Sequence, residues 1–303
     1  MKLLKYSLFF LIAAVAMTSC TKKDTLPDPD TITGLGGDTW VNGPIDNWVL
    51  QNYVDPYNIS VKYKWDQSEL DLNKHLVPPK EEKVIPLMQS IKSVWIDNYI
   101  AEAGALFFKK YCPKFFVLVG SVQYNTNGSI TLGQAEGGRR IEIFGLNDFN
   151  IKGMPGYKAA NDSDGVKMKM HTIEHEFGHI LHQNIMYPQE FKKICVGQYT
   201  ANWNNIEDSI AQKEGFVTSY AMNGTDDDWV ETIAILLIEG HDGFDRLVNS
   251  IHGTSDNGTT AATAQARLRQ KESMIVNYYK DIWGIDFYSL QKRTRASVEA
   301  LLY

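Results

Sequence analysis

The sequence predicts an α+β fold, in which a small mixed sheet is followed by a mostly helical C-terminal half. Short apolar and β-branched runs lie between residues 115 and 144, and such runs are typical of buried strands. From residue 167 onward apolar residues recur with a period near 3.6. A chain of 303 residues with 44% hydrophobic content can bury one sizeable core.

Residues 1–19 predict a lipoprotein signal peptide. A short cationic start is followed by the apolar run Leu8–Met17 and two small residues before Cys20. The run is shorter than the ~20 residues that a membrane-spanning helix needs. The pattern is typical of a bacterial leader after which Cys20 becomes acylated and binds the protein to a membrane surface. The alternative is an ordinary cleaved signal with an incidental cysteine.

Residues 20–39 predict a flexible tether, because they are polar and rich in Pro, Gly and Asp. The folded body is expected from Trp40, and no internal repeat or second linker divides it, so residues 40–303 are assigned to one domain. The net charge of −6 and the lack of a long Lys/Arg run argue against a nucleic-acid partner. Cys112 and Cys195 are too few for a disulfide framework and are expected to be buried thiols.

The elements before the first histidine cluster are one long helix and a small sheet. Apolar residues at helical spacing predict a helix over residues 82–109. The run Phe115–Ser121 predicts a buried strand. Asn127-Gly128 predicts a tight turn into Ile130–Gly133, and Arg140–Phe144 alternates as a further strand. From its position before the histidines, this last strand is expected to bind extended substrate by edge pairing.

The C-terminal half is predicted to consist of helices. Apolar residues at a spacing of three and four place them over residues 167–186, 205–216, 226–240, 257–283 and 286–301.

The first of these helices carries an HExxH motif. His175 and His179 are four residues apart, so on a helix both imidazoles point the same way and can bind one Zn²⁺. Glu176 lies beside that stripe, where its carboxylate can accept a proton from water. Successive residues of a helix are rotated by about 100° about its axis. The helix therefore has an apolar face (Ile173, Phe177, Ile180, Leu181) and, opposite it, a face of imidazoles (His171, His175, His179, His182).

A catalytic zinc ion usually has three protein ligands and an open position. His182 lies on the same face, but it is about 10 Å along the helix axis from His175. It is therefore expected to support the site or to pack in the core, and a role as a ligand is the alternative. Asp227 and Glu231 lie four residues apart on the next long helix, so they share a face. One of them could bind the metal while the other accepts the remaining N–H of a ligand histidine. Alternatively, residues 226–228 form only a solvated acidic cap.

Tyr220 is a candidate site residue whose role would be neither metal binding nor proton acceptance. It precedes Asp227 by seven residues, and a phenol near a tetrahedral intermediate can stabilise the developing oxyanion. From the spacing alone, a packing role for this residue is the simpler interpretation.

Three blocks together resemble the zinc-binding metallopeptidases of Bacteroidetes lipoproteins, also called substrate import-associated zinc metallohydrolase lipoproteins. The blocks are HTIEHEFGHILHQ, GFVTSYA and DDWVETIA. The likeness spans roughly residues 55–240 and implies a zincin-like, gluzincin-type metallopeptidase domain with one zinc ion. In such relatives, among them the lethal-factor-like peptidases, a tyrosine precedes the third ligand by seven residues and a second acid follows that ligand by four.

Tyr220, Asp227 and Glu231 match those positions of the family. The family's ligand is usually Glu, so the shorter Asp227 leaves open which of the two acids binds the ion. The resemblance also implies an outer-membrane location in the cell envelope, beside a TonB-dependent importer and its substrate-binding lipoprotein.

Two functional hypotheses follow. The first is a zinc peptidase linked to nutrient import, which acts on a peptide or protein substrate. Its zinc ion is bound by His175, His179 and Asp227, Glu176 activates the water, and Tyr220 stabilises the oxyanion. The second is a non-catalytic metal-containing lipoprotein that captures a ligand for an importer, since a fold and a metal alone do not establish turnover. The complete HExxH motif favours the enzyme.

Overall fold

The computed structural model describes residues 41–71, 73–126, 128–136 and 139–303. The predicted signal peptide, Cys20, the tether over residues 20–39 and the turn residue Asn127 lie outside this part of the chain. Residues Gly43–Tyr303 form one compact unit. Within the described ranges, no helix combines the length and the apolar composition needed to span a membrane.

The described chain begins with short elements that local periodicity does not predict. Helix α1 (Pro44–Val49) continues through a π-helical segment, Leu50–Val54, into the single turn α2 (Asp55–Tyr57). Proline at the first helical position suits this start, because that position has no intrahelical N–H bond to lose. Strand β1 (Ser60–Lys62) follows directly.

The long helix predicted over residues 82–109 is confirmed, in three pieces. Helix α3 (Glu81–Ile91) passes through a π-helical segment, Lys92–Ile96, into α4 (Asp97–Tyr111). Gly104 interrupts α4 with φ of 82°, a conformation that glycine adopts without steric cost.

The sheet is small and mixed, as the sequence predicts. Strands β1, β2 (Phe115–Leu118) and β6 (Arg140–Ile143) are parallel, and β5 (Gly133–Glu136) pairs antiparallel with β6. The spatial order is β1-β2-β6-β5, and β3 (Gln123–Tyr124) with β4 (Ile130–Thr131) forms a separate hairpin.

The prediction that the strand over residues 140–144 binds substrate by edge pairing is wrong. Strand β6 is hydrogen-bonded to β2 on one side and to β5 on the other, so neither of its edges is available. The edge strand at this end of the sheet is β5.

The helical half is also confirmed, with shifted boundaries. The helix predicted over residues 167–186 begins earlier, the helix predicted over residues 205–216 is shorter, and the helix predicted over residues 226–240 continues beyond a break at Gly240 with φ of 68°. The helices are α5 (Ala159–Asn184), α6 (Asp208–Lys213), α7 (Thr225–Asn249), α8 (Ala261–Trp283) and α9 (Phe287–Leu302).

An aromatic cluster fixes α5 in the core. The Phe177 ring lies 5.2 Å from Trp95 and 4.8 Å from Tyr99, both edge to face, a favoured arrangement for aromatic pairs. The four apolar residues predicted for this face of the helix are all buried (Ile173, Phe177, Ile180, Leu181). Cys112 and Cys195 are buried free thiols, as expected. The opposite face of α5 is therefore held toward a cleft.

Candidate metal centre

The two histidines of the HExxH motif point their Nε2 atoms at one another. His175 Nε2 and His179 Nε2 are 3.2 Å apart, and His179 Nε2 is 3.5 Å from Asp227 Oδ1. One ligand atom from each of these three residues lies within 4.8 Å of the other two. Ligands bound tetrahedrally to zinc at about 2.0–2.2 Å are separated by about 3.3–3.6 Å. The donor set and its spacing therefore fit one zinc ion.

A glycine allows Asp227 to reach the histidines. Gly178 lies on α5 where α7 crosses, and a Cβ atom there would come within 2.9 Å of Val230 Cγ1. Because glycine has no side chain, the two helices pack closely and the first turn of α7 faces the imidazoles. The glycine inside the motif HEFGH is thus part of the geometry of the site.

Glu231 contacts the far side of His175. Its Oε1 accepts hydrogen bonds from His175 Nδ1 at 2.8 Å and from His171 Nε2 at 2.7 Å, and its Oε2 accepts one from Thr218 at 2.7 Å. Burial alone would raise the pKa of Glu231, but the charge and hydrogen bonds of His171 and His175 hold this pKa well below its usual range. The carboxylate stays ionised and keeps the proton of His175 on Nδ1.

The geometry therefore favours one of the two assignments that the sequence leaves open. Asp227 is on the Nε2 side of the histidines and Glu231 is on the Nδ1 side of His175. Asp227 therefore lies where a third ligand could bind the same ion, and Glu231 lies where it can orient His175, as carboxylates commonly do around metal-bound histidines. His171, His175 and Glu231 also lie close enough to hold an ion, but their separations of 2.7 and 2.8 Å are those of hydrogen bonds.

His182 contacts His179, the second histidine of the motif. His179 Nδ1 and His182 Nε2 are hydrogen-bonded at 2.9 Å. If His179 presents Nε2 to a metal, its proton is on Nδ1, so His182 Nε2 is the acceptor. The other nitrogen of His182, Nδ1, is buried and has no hydrogen-bond partner among the described residues. Burial, and then the neighbouring His179, lower the pKa of His182 to about 4. A neutral ring is what an acceptor for His179 requires.

Glu176 and Tyr220 line the same cleft as His175. This cleft has a volume of about 850 Å³. The Tyr220 ring stacks on His175 with centroids 5.6 Å apart, and Trp203 packs edge-on against the Tyr220 ring at 4.8 Å. Burial and the neighbouring charges, first that of Asp227, raise the pKa of Tyr220. Its hydroxyl, which is hydrogen-bonded to Asp227, therefore remains a proton donor.

The acidic turn at the start of α7 is not a solvated cap. Tyr187 donates a hydrogen bond to Asp226, and Asn223 donates one to Asp227. Asp228 is fully buried and pairs with Lys271 at 2.7 Å, an ion pair from which water is excluded. Each aspartate thus has a different neighbour, and together these contacts fix the turn that carries Asp227.

The family described as "Putative zinc-binding metallo-peptidase" matches residues 38–288, most of the chain. The chain belongs to this family. A crystal structure from Bacteroides caccae with the same description is similar, with 27% sequence identity and a TM-score of 0.66. The likeness covers 84% of this chain and 92% of that chain. No curated protein matches the chain.

Membership of this family confirms the resemblance found in the sequence, and the similar structure confirms a mixed, mostly helical fold with a small sheet. Both descriptions name zinc, in agreement with the predicted cofactor.

Sequence reasoning missed several contributors to the site. His171 was placed on the imidazole face but given no role, although its position one turn before His175 was a usable signal. Thr218, Asn223 and Trp203 carry no recognisable spacing, because their contacts depend on how the segment before α7 folds back onto the site.

Proposed function

We propose that the protein is a zinc-dependent peptidase whose metal is held by His175, His179 and Asp227. The observation that carries this proposal is the separation of 3.2 and 3.5 Å between their ligand atoms, which suits a tetrahedral ion. The family and the similar structure from Bacteroides caccae support it. When bound, zinc supplies a Lewis acid that polarises the scissile carbonyl and makes water more acidic.

The remaining residues divide the proton chemistry. Glu176, next to the ligand His175 and facing the cleft, accepts the proton of the attacking water and returns it to the leaving amine. Tyr220 donates its hydroxyl proton in a hydrogen bond to the oxyanion that develops on the former carbonyl. Glu231 and His182 hold the ligand histidines in the tautomer that presents Nε2.

The cleft suits an extended chain as substrate. Ser129, Thr131 and Gly133 line the cleft, and Gly133 begins the edge strand β5. A substrate segment laid along β5 would add a strand to the sheet through main-chain hydrogen bonds. Such a substrate would cross the cleft between β5 and α5, where Glu176 lies.

The decisive test compares the Glu176→Gln variant with the unaltered protein on a peptide library, with and without chelator. We expect cleavage that requires zinc, its loss in Glu176→Gln, and one zinc ion per chain in both proteins by elemental analysis. Glu190→Gln, at an exposed glutamate, is the matched control and should cleave normally.

Two results would contradict the peptidase. Cleavage retained in Glu176→Gln would remove the role of this residue. Zinc without any chelator-sensitive cleavage would favour the alternative, a metal-containing lipoprotein that only binds its ligand.

For the location, we propose an envelope protein anchored in the outer membrane through a lipidated Cys20, acting beside a TonB-dependent importer and its substrate-binding lipoprotein. The leader and the resemblance to Bacteroidetes lipoproteins support this. Cys20→Ala should move the protein from the membrane fraction to the soluble fraction, and crosslinking in cells should capture the importer only with the native cysteine.

A further inference from the structure

His171 lies beside the metal centre, and the proposed peptidase mechanism gives it no role. It lies one helical turn before His175 on α5, and its side chain is 16% exposed. Its Nε2 is engaged by Glu231 at 2.7 Å. The residue therefore faces the Nδ1 side of His175 and not the side where Asp227 lies.

The contacts of Glu231 indicate what His171 does. A carboxylate held at one oxygen can rotate about its terminal bond. Without His171, the hydrogen bonds that remain to Glu231 among the described residues are that of Thr218, at Oε2, and that of His175, the ring that Glu231 has to orient. His171, on α5, fixes Oε1, and Thr218, in the segment before α7, fixes Oε2. With its plane fixed in this way, Oε1 stays in line with His175 Nδ1 at 2.8 Å.

We propose that His171 is a positioning residue of the zinc site, which holds Glu231 so that Glu231 keeps the His175 proton on Nδ1 and leaves Nε2 for the metal. The proposal rests on the zinc site of the proposed function and not on peptide cleavage. An outer partner of a ligand histidine typically changes metal affinity about 10–100-fold. The loss of zinc affinity on removal of His171 should lie near the lower end of this range, because His171 acts on His175 only through Glu231.

The test measures zinc affinity by chelator competition on the purified protein. Replacement by alanine removes the donor to Glu231, so His171→Ala should weaken zinc binding by about 10-fold. His171→Gln retains an N–H donor and should restore part of the affinity. In the Glu231→Gln background, His171→Ala should cause no further loss, because its effect passes through that carboxylate.

The control is His241→Asn, since His241 is an exposed histidine of α7 that also contacts carboxylates but lies outside the site. This variant should bind zinc as the unaltered protein does. Circular dichroism of each variant separates loss of affinity from loss of fold, and His171→Gln remains informative if the alanine variant unfolds.

Three outcomes would overturn the proposal. Unchanged affinity in His171→Ala would show that Glu231 needs no help. An equal loss in the Glu231→Gln background would show that His171 acts directly on the metal. Two zinc ions per chain, falling to one in His171→Ala, would instead place a second ion among His171, His175 and Glu231. Absence of peptidase activity would leave all these affinities measurable, so failure of the two proposals can be distinguished.

Discussion

Asp227 and Glu231 carry the same type of group on the same face of α7, and the position of α5 separates their roles. The His179 ring faces Asp227, while the Nδ1 atom of His175 faces Glu231. A spacing of four residues predicts that both acids reach the histidines but not which nitrogen each one meets. The way in which α5 and α7 cross decides which nitrogen each acid meets. That crossing depends on packing between residues that are far apart in the sequence.

The assignment of Asp227 leads to a prediction about zinc affinity. Asp227→Ala should cost more than the ~10–100-fold that loss of an outer partner costs, while Glu231→Gln should stay within that range. Asp227→Glu should retain zinc, because a longer carboxylate can still reach the ion. Competition with a chromogenic chelator measures all three.

Asp242→Asn is the matched control for these variants, since Asp242 is an acid farther along α7 whose side chain is 91% exposed. If Glu231→Gln lost zinc completely while Asp227→Ala kept it, the assignment of ligand and orienting residue would have to be exchanged.

At the scale of elements, periodicity predicted the long helices well. Their apolar faces are repeated over many turns, so the 3.6-residue pattern is unambiguous in α5, α7, α8 and α9. The short elements α1, α2 and β1 were missed, because a few residues do not establish a period. The order of strands was also beyond local sequence, which is why β6 was expected at an edge and is found between two neighbours.

The close crossing of α5 and α7 can be tested at Gly178. A methyl group there would lie 2.9 Å from Val230 Cγ1 and 3.1 Å from Val230 Cβ, so Gly178→Ala should push the helices apart. We expect a loss of about 1–3 kcal/mol of unfolding free energy from overpacking, together with weaker zinc binding. Denaturant unfolding and chelator competition measure the two effects.

Gly165 provides the control on the same helix, because a Cβ atom there would meet nothing within 4 Å. Gly165→Ala should raise stability by up to about 1 kcal/mol through helix propensity. If Gly178→Ala behaved like Gly165→Ala, the crossing would tolerate a side chain. Adding Val230→Ala to Gly178→Ala should restore part of the zinc affinity.

At the scale of the whole molecule, one large hydrophobic cluster joins α5, α7, α8, α9 and the sheet. This core should fold the chain independently of the metal. The sequence predicted its size from length and composition, while the buried ion pair of Asp228 and Lys271 within it could not be foreseen from residues 43 apart.

Zinc should nevertheless raise thermal stability, because it binds the folded state only. At a free zinc concentration 1,000 times Kd the gain is about 4.1 kcal/mol. For a domain of this size, at roughly 2–4 °C per kcal/mol, Tm should rise by roughly 8–16 °C. Differential scanning calorimetry with and without chelator measures the shift. The double variant His175→Ala and His179→Ala should melt at one temperature under both conditions; a shift as large as that of the unaltered protein would mean that zinc binds elsewhere.

The unpaired edge of strand β5 should make the behaviour of the protein depend on its concentration. Its outer side pairs with no other strand among the residues that the structure describes, and main-chain groups on a bare edge do not discriminate between partners. A strand of a second copy of the chain could pair with β5 at the edge where the proposed substrate would bind. The specific activity of the proposed peptidase should then fall as the protein is concentrated and recover on dilution.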